Sequence, residues 1–221
     1  MESAAGLRKK YIGNCIRREY HIFHMHFNIP NLITWLRILL IPLFVGIFYV
    51  SDTALSMHHK NLLATAIFAV AAISDWLDGY LARTLNQTSA FGAFLDPVAD
   101  KLMVAAALII LVSLKDNEDG SSRVGILIAF IIIGREITVS ALREWMAKIG
   151  ASKSVAVSFL GKLKTVSQMA AILLLLYHDR LFSLIDTQLL GTWLIYLAAV
   201  LTLWSMAYYL KKAMPSALKR E

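Results

Sequence analysis

Apolar residues in this chain do not recur at the spacing of a surface helix; they gather into long runs separated by short polar connections. At 1.5 Å of rise per residue, each run approaches the ~30 Å hydrocarbon thickness of a bilayer. Six runs are read, over residues 32–51, 61–85, 91–114, 124–146, 155–177 and 189–210. They predict an all-α integral membrane protein, a six-transmembrane-helix bundle filling residues 27–214. A basic juxtamembrane arm, 1–26, precedes it and a basic tail, 215–221, follows. Six helices and their connections leave no room in this chain for a second globular domain.

Composition agrees with lipid as the solvent. Of 221 residues 58% are hydrophobic and 17% charged, against roughly 45–50% and about 25% in soluble domains. The net charge of +7 does not mark a nucleic-acid partner, because the bases do not line one soluble face. They sit in alternate connections instead. Arg8, Lys9, Lys10, Arg17 and Arg18 precede the first run, Arg143, Lys148, Lys153, Lys162 and Lys164 join the fourth to the fifth, and Lys211, Lys212, Lys219 and Arg220 end the chain. The connections near residues 51–60, 115–123 and 178–188 are poor in net positive charge. By the positive-inside rule both termini and the second and fourth connections are expected on the cytoplasmic side.

The single cysteine, Cys15, excludes an intramolecular disulfide, and nothing around it in sequence suggests a metal site. Residues 1–26 lack the apolar stretch of a signal peptide and read as an arm lying on anionic headgroups, with a start at Met25 as the alternative. His21, His24 and His26 in this arm read as solvent or headgroup contacts.

The informative stretch is 73–102, where four aspartates lie within or beside predicted spans. Each carboxylate near a bilayer centre costs at least ~2.5–3.5 kcal/mol. Asp75, Asp78, Gly79 and Ala82 fall at i, i+3, i+4 and i+7 and share one helical face; Asp96 and Asp100 are one turn apart on the next helix. Pro97 either kinks that helix or begins its regular part with Asp96 as cap. The two helices, joined near residues 86–90, are expected to bring the carboxylates together at the cytoplasmic end. Such a group without cysteine or histidine is a hard-oxygen site suited to two Mg²⁺ or Mn²⁺ ions gripping a diphosphate. The plainer alternative is that the aspartates cap helix ends in solvated loops.

The same stretch reads D-x2-D-G-x2-A-R-x8-G-x3-D-x3-D through Asp75, Asp78, Gly79, Ala82, Arg83, Gly92, Asp96 and Asp100. Eight fixed identities at about one in ten each arise by chance on the order of once in 10⁸ starting positions. This pattern resembles the signature of the CDP-alcohol phosphatidyltransferase family. Residues 27–38, 84–102, 134–147, 154–171 and 199–206 further resemble the bacterial members that make phosphatidylglycerol phosphate. The resemblance implies an enzyme of the bacterial cytoplasmic membrane, its active site on the cytoplasmic side, transferring a phosphatidyl group from CDP-diacylglycerol to glycerol 3-phosphate with release of CMP. It implies Asp75, Asp78 and Asp96 as metal ligands and Asp100 as a ligand or the base. Asp75 and Asp78, with Gly79, Ala82, Arg83 and Gly92, would bind CDP-diacylglycerol.

A dianionic acceptor phosphate needs cations separate from the metal centre. Arg135, Arg143, Lys162 and Lys164 are the candidates; a structural pair with Glu136 or another helix is the alternative for Arg135, and snorkelling or local pairing, as of Glu144 with Lys148 at i, i+4, is the alternative for the lysines. Thr34 and Arg37 are candidate cavity-lining residues; Arg37 reads equally as a snorkelling base, and core packing or a backbone bond is the favoured fate of Thr34. The sixth run, polar only through groups such as Thr202 and Ser205, is a candidate for lipid contact or homodimer formation. Rival readings are another acceptor, such as inositol phosphate, serine or phosphatidylglycerol, or a divalent-cation transporter, which leaves Gly79, Ala82 and Arg83 without a purpose.

Overall fold

A computed structural model describes residues 29–84, 90–115, 120–150, 159–180 and 186–218. These form six α-helices: α1 Ile29–Ile47, α2 Met57–Thr84, α3 Ala90–Ser113, α4 Ile126–Lys148, α5 Phe159–Tyr177 and α6 Thr187–Leu218. The arm, with Cys15 and its histidines, and the turn expected near 86–90 lie almost wholly outside the described residues.

The helices follow the apolar runs, but their ends obey backbone bonding rather than hydropathy. Helix α1 stops at Ile47, where Phe48, Tyr49 and Val50 donate to the carbonyls three residues back and tighten the chain into a turn. Helix α2 begins at Met57, taking in the polar His58, His59 and Lys60. Helix α6 begins at Thr187 because the Asp186 carboxylate accepts the amides of Gln188 and Leu189 at 3.1 and 3.0 Å, an N-cap. It also runs on through Lys211 and Lys212, since helical bonding needs no apolar side chain. Pro97 lies inside α3, so Asp96 is a mid-helix residue and not a cap.

Among the described residues two stretches are long and apolar enough to cross a bilayer without interruption, Met57–Leu81 and Thr187–Lys211. In α3 and α4 the apolar sequence is broken by Asp96, Asp100 and Lys101, and by Arg135, Glu136, Arg143 and Glu144.

By packing, the described chain divides into two units. The first combines residues 29–40 of α1, 71–84 of α2 and 90–100 of α3. Its buried set is unusually polar, with Asn31, Thr34, Arg37 and Asp78 beside Ala71, Leu95 and Ala99. Its exposed side chains are large and apolar, among them Leu39, Ile73, Trp76 and Phe94. This is the distribution expected when the surrounding medium is lipid and polar groups must find partners inside.

The second unit holds residues 41–70 and 101–218. Phe44, Phe68, Leu108, Leu111, Ile132, Ile172, Leu175 and Leu176 form its apolar interior. Helix α6 packs on α5 and α4. The α5 contact depends on Gly191, where an added Cβ would lie 2.8 Å from Leu175 Cγ and 3.2 Å from Leu174 Cβ. Buried Arg123 donates to Asn61 Oδ1 at 3.1 Å and to the Leu175 carbonyl at 3.4 Å, tying the start of α2 to the end of α5.

Candidate active site

In the first unit, α1 presents Asn31, Thr34 and Arg37 at three-residue spacing, all buried. Arg37 is 1% exposed and its guanidinium bridges two carboxylates, with Nη1 donating to Asp75 Oδ1 at 2.7 Å and Nη2 to Asp78 Oδ2. Thr34 Oγ1 lies 2.5 Å from Asp96 Oδ1 and 3.4 Å from Asp78 Oδ2. One hydroxyl proton serves one acceptor, so Thr34 donates to Asp96 and meets Asp78 as a neighbour. Asp75, Asp78 and Asp96, from two helices, are thus gathered around two side chains of a third. Asp100 follows Asp96 by one turn on α3 and is partly buried.

Of the two readings of Arg37 the inward one holds and snorkelling does not, and the Thr34 hydroxyl meets carboxylates where core packing was expected. In a medium without water, a buried hydroxyl and guanidinium satisfy themselves on the strongest acceptors within reach, which are the carboxylates.

The charges do not balance within this group. Three carboxyl groups face one guanidinium, Asp78 among them buried and Asp75 half exposed, so further positive charge is favoured beside them. The donor set, carboxylate oxygens with a hydroxyl and no sulfur or imidazole, fits a hard divalent cation. Among the described residues no three acids, histidines or cysteines surround one point as ligands; Asp75 and Asp78 are joined through Arg37, and Asp96 meets Thr34. Gly92 is buried and Gly79 partly so, consistent with close backbone approach. The side chains of Ala82 and Arg83 lie outside the described residues.

The second unit carries the predicted cations. Arg135, in the middle of α4, is 8% exposed; its Nη2 donates to Ser205 Oγ at 3.0 Å and its Nη1 lies 3.5 Å from Glu136 Oε1. Lys164 of α5, 1% exposed, pairs with Glu136. Arg143, two turns past Arg135, is exposed, and its guanidinium carbon stands 5.4 Å from the ring centre of buried Tyr209. Arg135 approaches the same ring at 5.9 Å. The Lys162 side chain lies outside the described residues. Lys148, by contrast, makes the expected exposed pair with Glu144 at 2.8 Å.

Thr202 and Ser205, expected with the sixth run to meet lipid or a second copy, are both 0% exposed. Tyr209, equally buried, carried no role in the sequence reading. The available signal was the spacing Thr202, Ser205, Tyr209 at i, i+3 and i+7, which places all three on one face of α6.

Residues 27–204 match the sequence profile of the CDP-alcohol phosphatidyltransferase family. The chain is 48% identical over 189 residues to proteins named CDP-diacylglycerol–glycerol-3-phosphate 3-phosphatidyltransferase from Escherichia coli K12, Shigella flexneri serotype 5b and Shigella boydii serotype 4. Each match covers 86% of this chain and 96% of the relative. Signature aspartates gathered by α1, with a likeness spanning nearly the full length of these relatives, show that the chain belongs to the CDP-alcohol phosphatidyltransferase family.

Proposed function

We propose that this protein transfers the phosphatidyl group of CDP-diacylglycerol to glycerol 3-phosphate, yielding phosphatidylglycerol phosphate and CMP. The observation that carries the reading is the gathering of Asp75, Asp78 and Asp96 around Arg37 and Thr34, a cluster whose excess negative charge favours a bound cation able to grip a diphosphate. The choice of glycerol 3-phosphate is supported by the names of the relatives and by a set of cations suited to a phosphate dianion.

In this reading Asp75, Asp78, Asp96 and Asp100 hold Mg²⁺ or Mn²⁺, which when bound neutralises the diphosphate and the charge that develops on its leaving oxygen. Gly79, Ala82, Arg83 and Gly92 seat the CDP moiety. Arg135, Arg143, Lys162 and Lys164 bind the acceptor phosphate through charge-assisted hydrogen bonds. The acceptor's primary hydroxyl oxygen bonds to the lipid-side phosphorus, its proton passes to a carboxylate, with Asp100 the base, and the diphosphate P–O bond breaks as CMP departs with the electron pair. All six helices span the cytoplasmic membrane of a bacterium, with both termini and the acidic helix ends on the cytoplasmic face. The distribution of bases among the connections supports that orientation.

The test is an acceptor screen on purified protein in detergent with radiolabelled CDP-diacylglycerol. Phosphatidylglycerol phosphate is the expected product; a product formed only with inositol phosphate, serine or phosphatidylglycerol would move the chain to another branch of the family. Asp78→Asn and Asp100→Asn should each abolish CMP release without loss of a folded elution profile, and near-normal turnover in both would refute the site.

A further inference from the structure

Arg135 and Arg143 stand eight residues apart on α4, a separation of about 12 Å along the axis and 80° around it. Helix geometry alone therefore directs them to different places. Both guanidiniums nevertheless lie over one ring, that of Tyr209, at 5.9 and 5.4 Å from its centre. Tyr209 is 0% exposed and is itself wedged among Val139, Met146 and Ala213, with Leu142, Ile149 and Met206 against the cluster. The ring is a fixed platform and the two arginines are its occupants.

The platform acts mainly through its π face. The Tyr209 hydroxyl lies 3.5 Å from Arg143 Nη2, a long contact, whereas the ring quadrupole attracts both cations and is strengthened where water is excluded. Arg135 has a second anchor on the same helix, Ser205, one turn before Tyr209. With Nη2 committed to Ser205 and Nη1 turned to Glu136, its buried Nε–H is left without a partner among the described residues. An unpaired buried donor is a standing invitation to an acceptor. Counting Glu136 against Arg135, Arg143 and Lys164 leaves about two positive charges, the complement of a phosphate dianion.

We infer that Tyr209 is a positioning residue for the phosphorylated acceptor, holding Arg135 and Arg143 in the orientation in which they bind a phosphomonoester dianion. The inference rests on the acceptor reading above and assigns Tyr209 no contact with the reacting atoms. Removing the ring should therefore weaken acceptor binding while leaving the donor and the chemical step alone. Tyr209→Phe keeps the platform and should stay within about twofold of the parent protein. Tyr209→Leu should raise KM for glycerol 3-phosphate about tenfold, equivalent to roughly 1.4 kcal/mol. KM for CDP-diacylglycerol and kcat should change less than twofold.

The experiment is steady-state kinetics on the purified full chain with each substrate varied in turn. Met146→Ala serves as the packing control, since it loosens the same apolar cluster while keeping the aromatic ring; it should lower thermal stability and leave the ratio of the two KM values in place. If Tyr209→Leu does not yield folded protein, Tyr209→Met, equally flexible and equally without a ring, carries the same expectation. The proposal is overturned if loss of the ring moves both KM values alike, if it moves neither, or if Met146→Ala shifts the ratio as far. A parent protein that turns over no glycerol 3-phosphate would instead sink the acceptor reading.

Discussion

Removing the Arg37 guanidinium should be among the most damaging single changes available in this protein. Arg37→Met preserves the apolar stem and its volume but takes the positive charge from between Asp75 and Asp78, leaving Asp78, 3% exposed, as an uncompensated carboxylate. Breaking one side of a buried ion pair costs about 3–5 kcal/mol, a large part of a total stability of roughly 5–15 kcal/mol. At roughly 2–4 °C per kcal/mol for a chain of this size, melting should fall by about 10 °C. Arg37→Lys should recover part of that loss, since an ammonium keeps the charge but not the fork that reaches two carboxylates at once. The decisive measurement is a double-mutant cycle on detergent-solubilised protein, melted under fluorescence-detected size exclusion. Arg37→Met with Asp78→Asn removes both charges, so it should be more stable than the two single losses add up to. If the losses add within about 0.5 kcal/mol, Arg37 and Asp78 do not hold one another and the account of this cluster is wrong.

Three further outcomes follow from other contacts. Gly191→Val should lower the melting temperature by an amount equivalent to about 1–3 kcal/mol through overpacking, since even a Cβ would meet Leu175 Cγ at 2.8 Å; unchanged melting would mean that α5 and α6 yield more readily than their packing indicates. Asp186→Ala removes the carboxylate that accepts two amides at the head of α6 and should cost about 1 kcal/mol, read by the same melting assay, with no effect on either KM. Chelation of divalent ions should stop CMP release, and Mg²⁺ or Mn²⁺ should restore it; full turnover in excess chelator would remove metal from the mechanism.

Much of the protein was legible along the chain. Long apolar runs fixed the number and approximate limits of the helices, because lipid requires every spanning backbone group to be bonded within its own segment. The spacing of Asp75, Asp78, Asp96 and Asp100 placed them on shared helical faces, which follows from the helical repeat alone. Asp186 and the turn at Phe48 shifted ends by a few residues, since caps and turns are decided by single hydrogen bonds that hydropathy does not register.

What the chain could not disclose was the identity of the facing partner. That Arg37 spans Asp75 and Asp78, that Thr34 serves Asp96, that Ser205 looks inward to Arg135 and that one tyrosine carries two arginines are all contacts between residues 38 to 74 positions apart. A helix's period states which of its residues share a face; it is silent on which other helix that face will meet. That choice is made only when the helices pack, and the functional pairings of this protein are made with it.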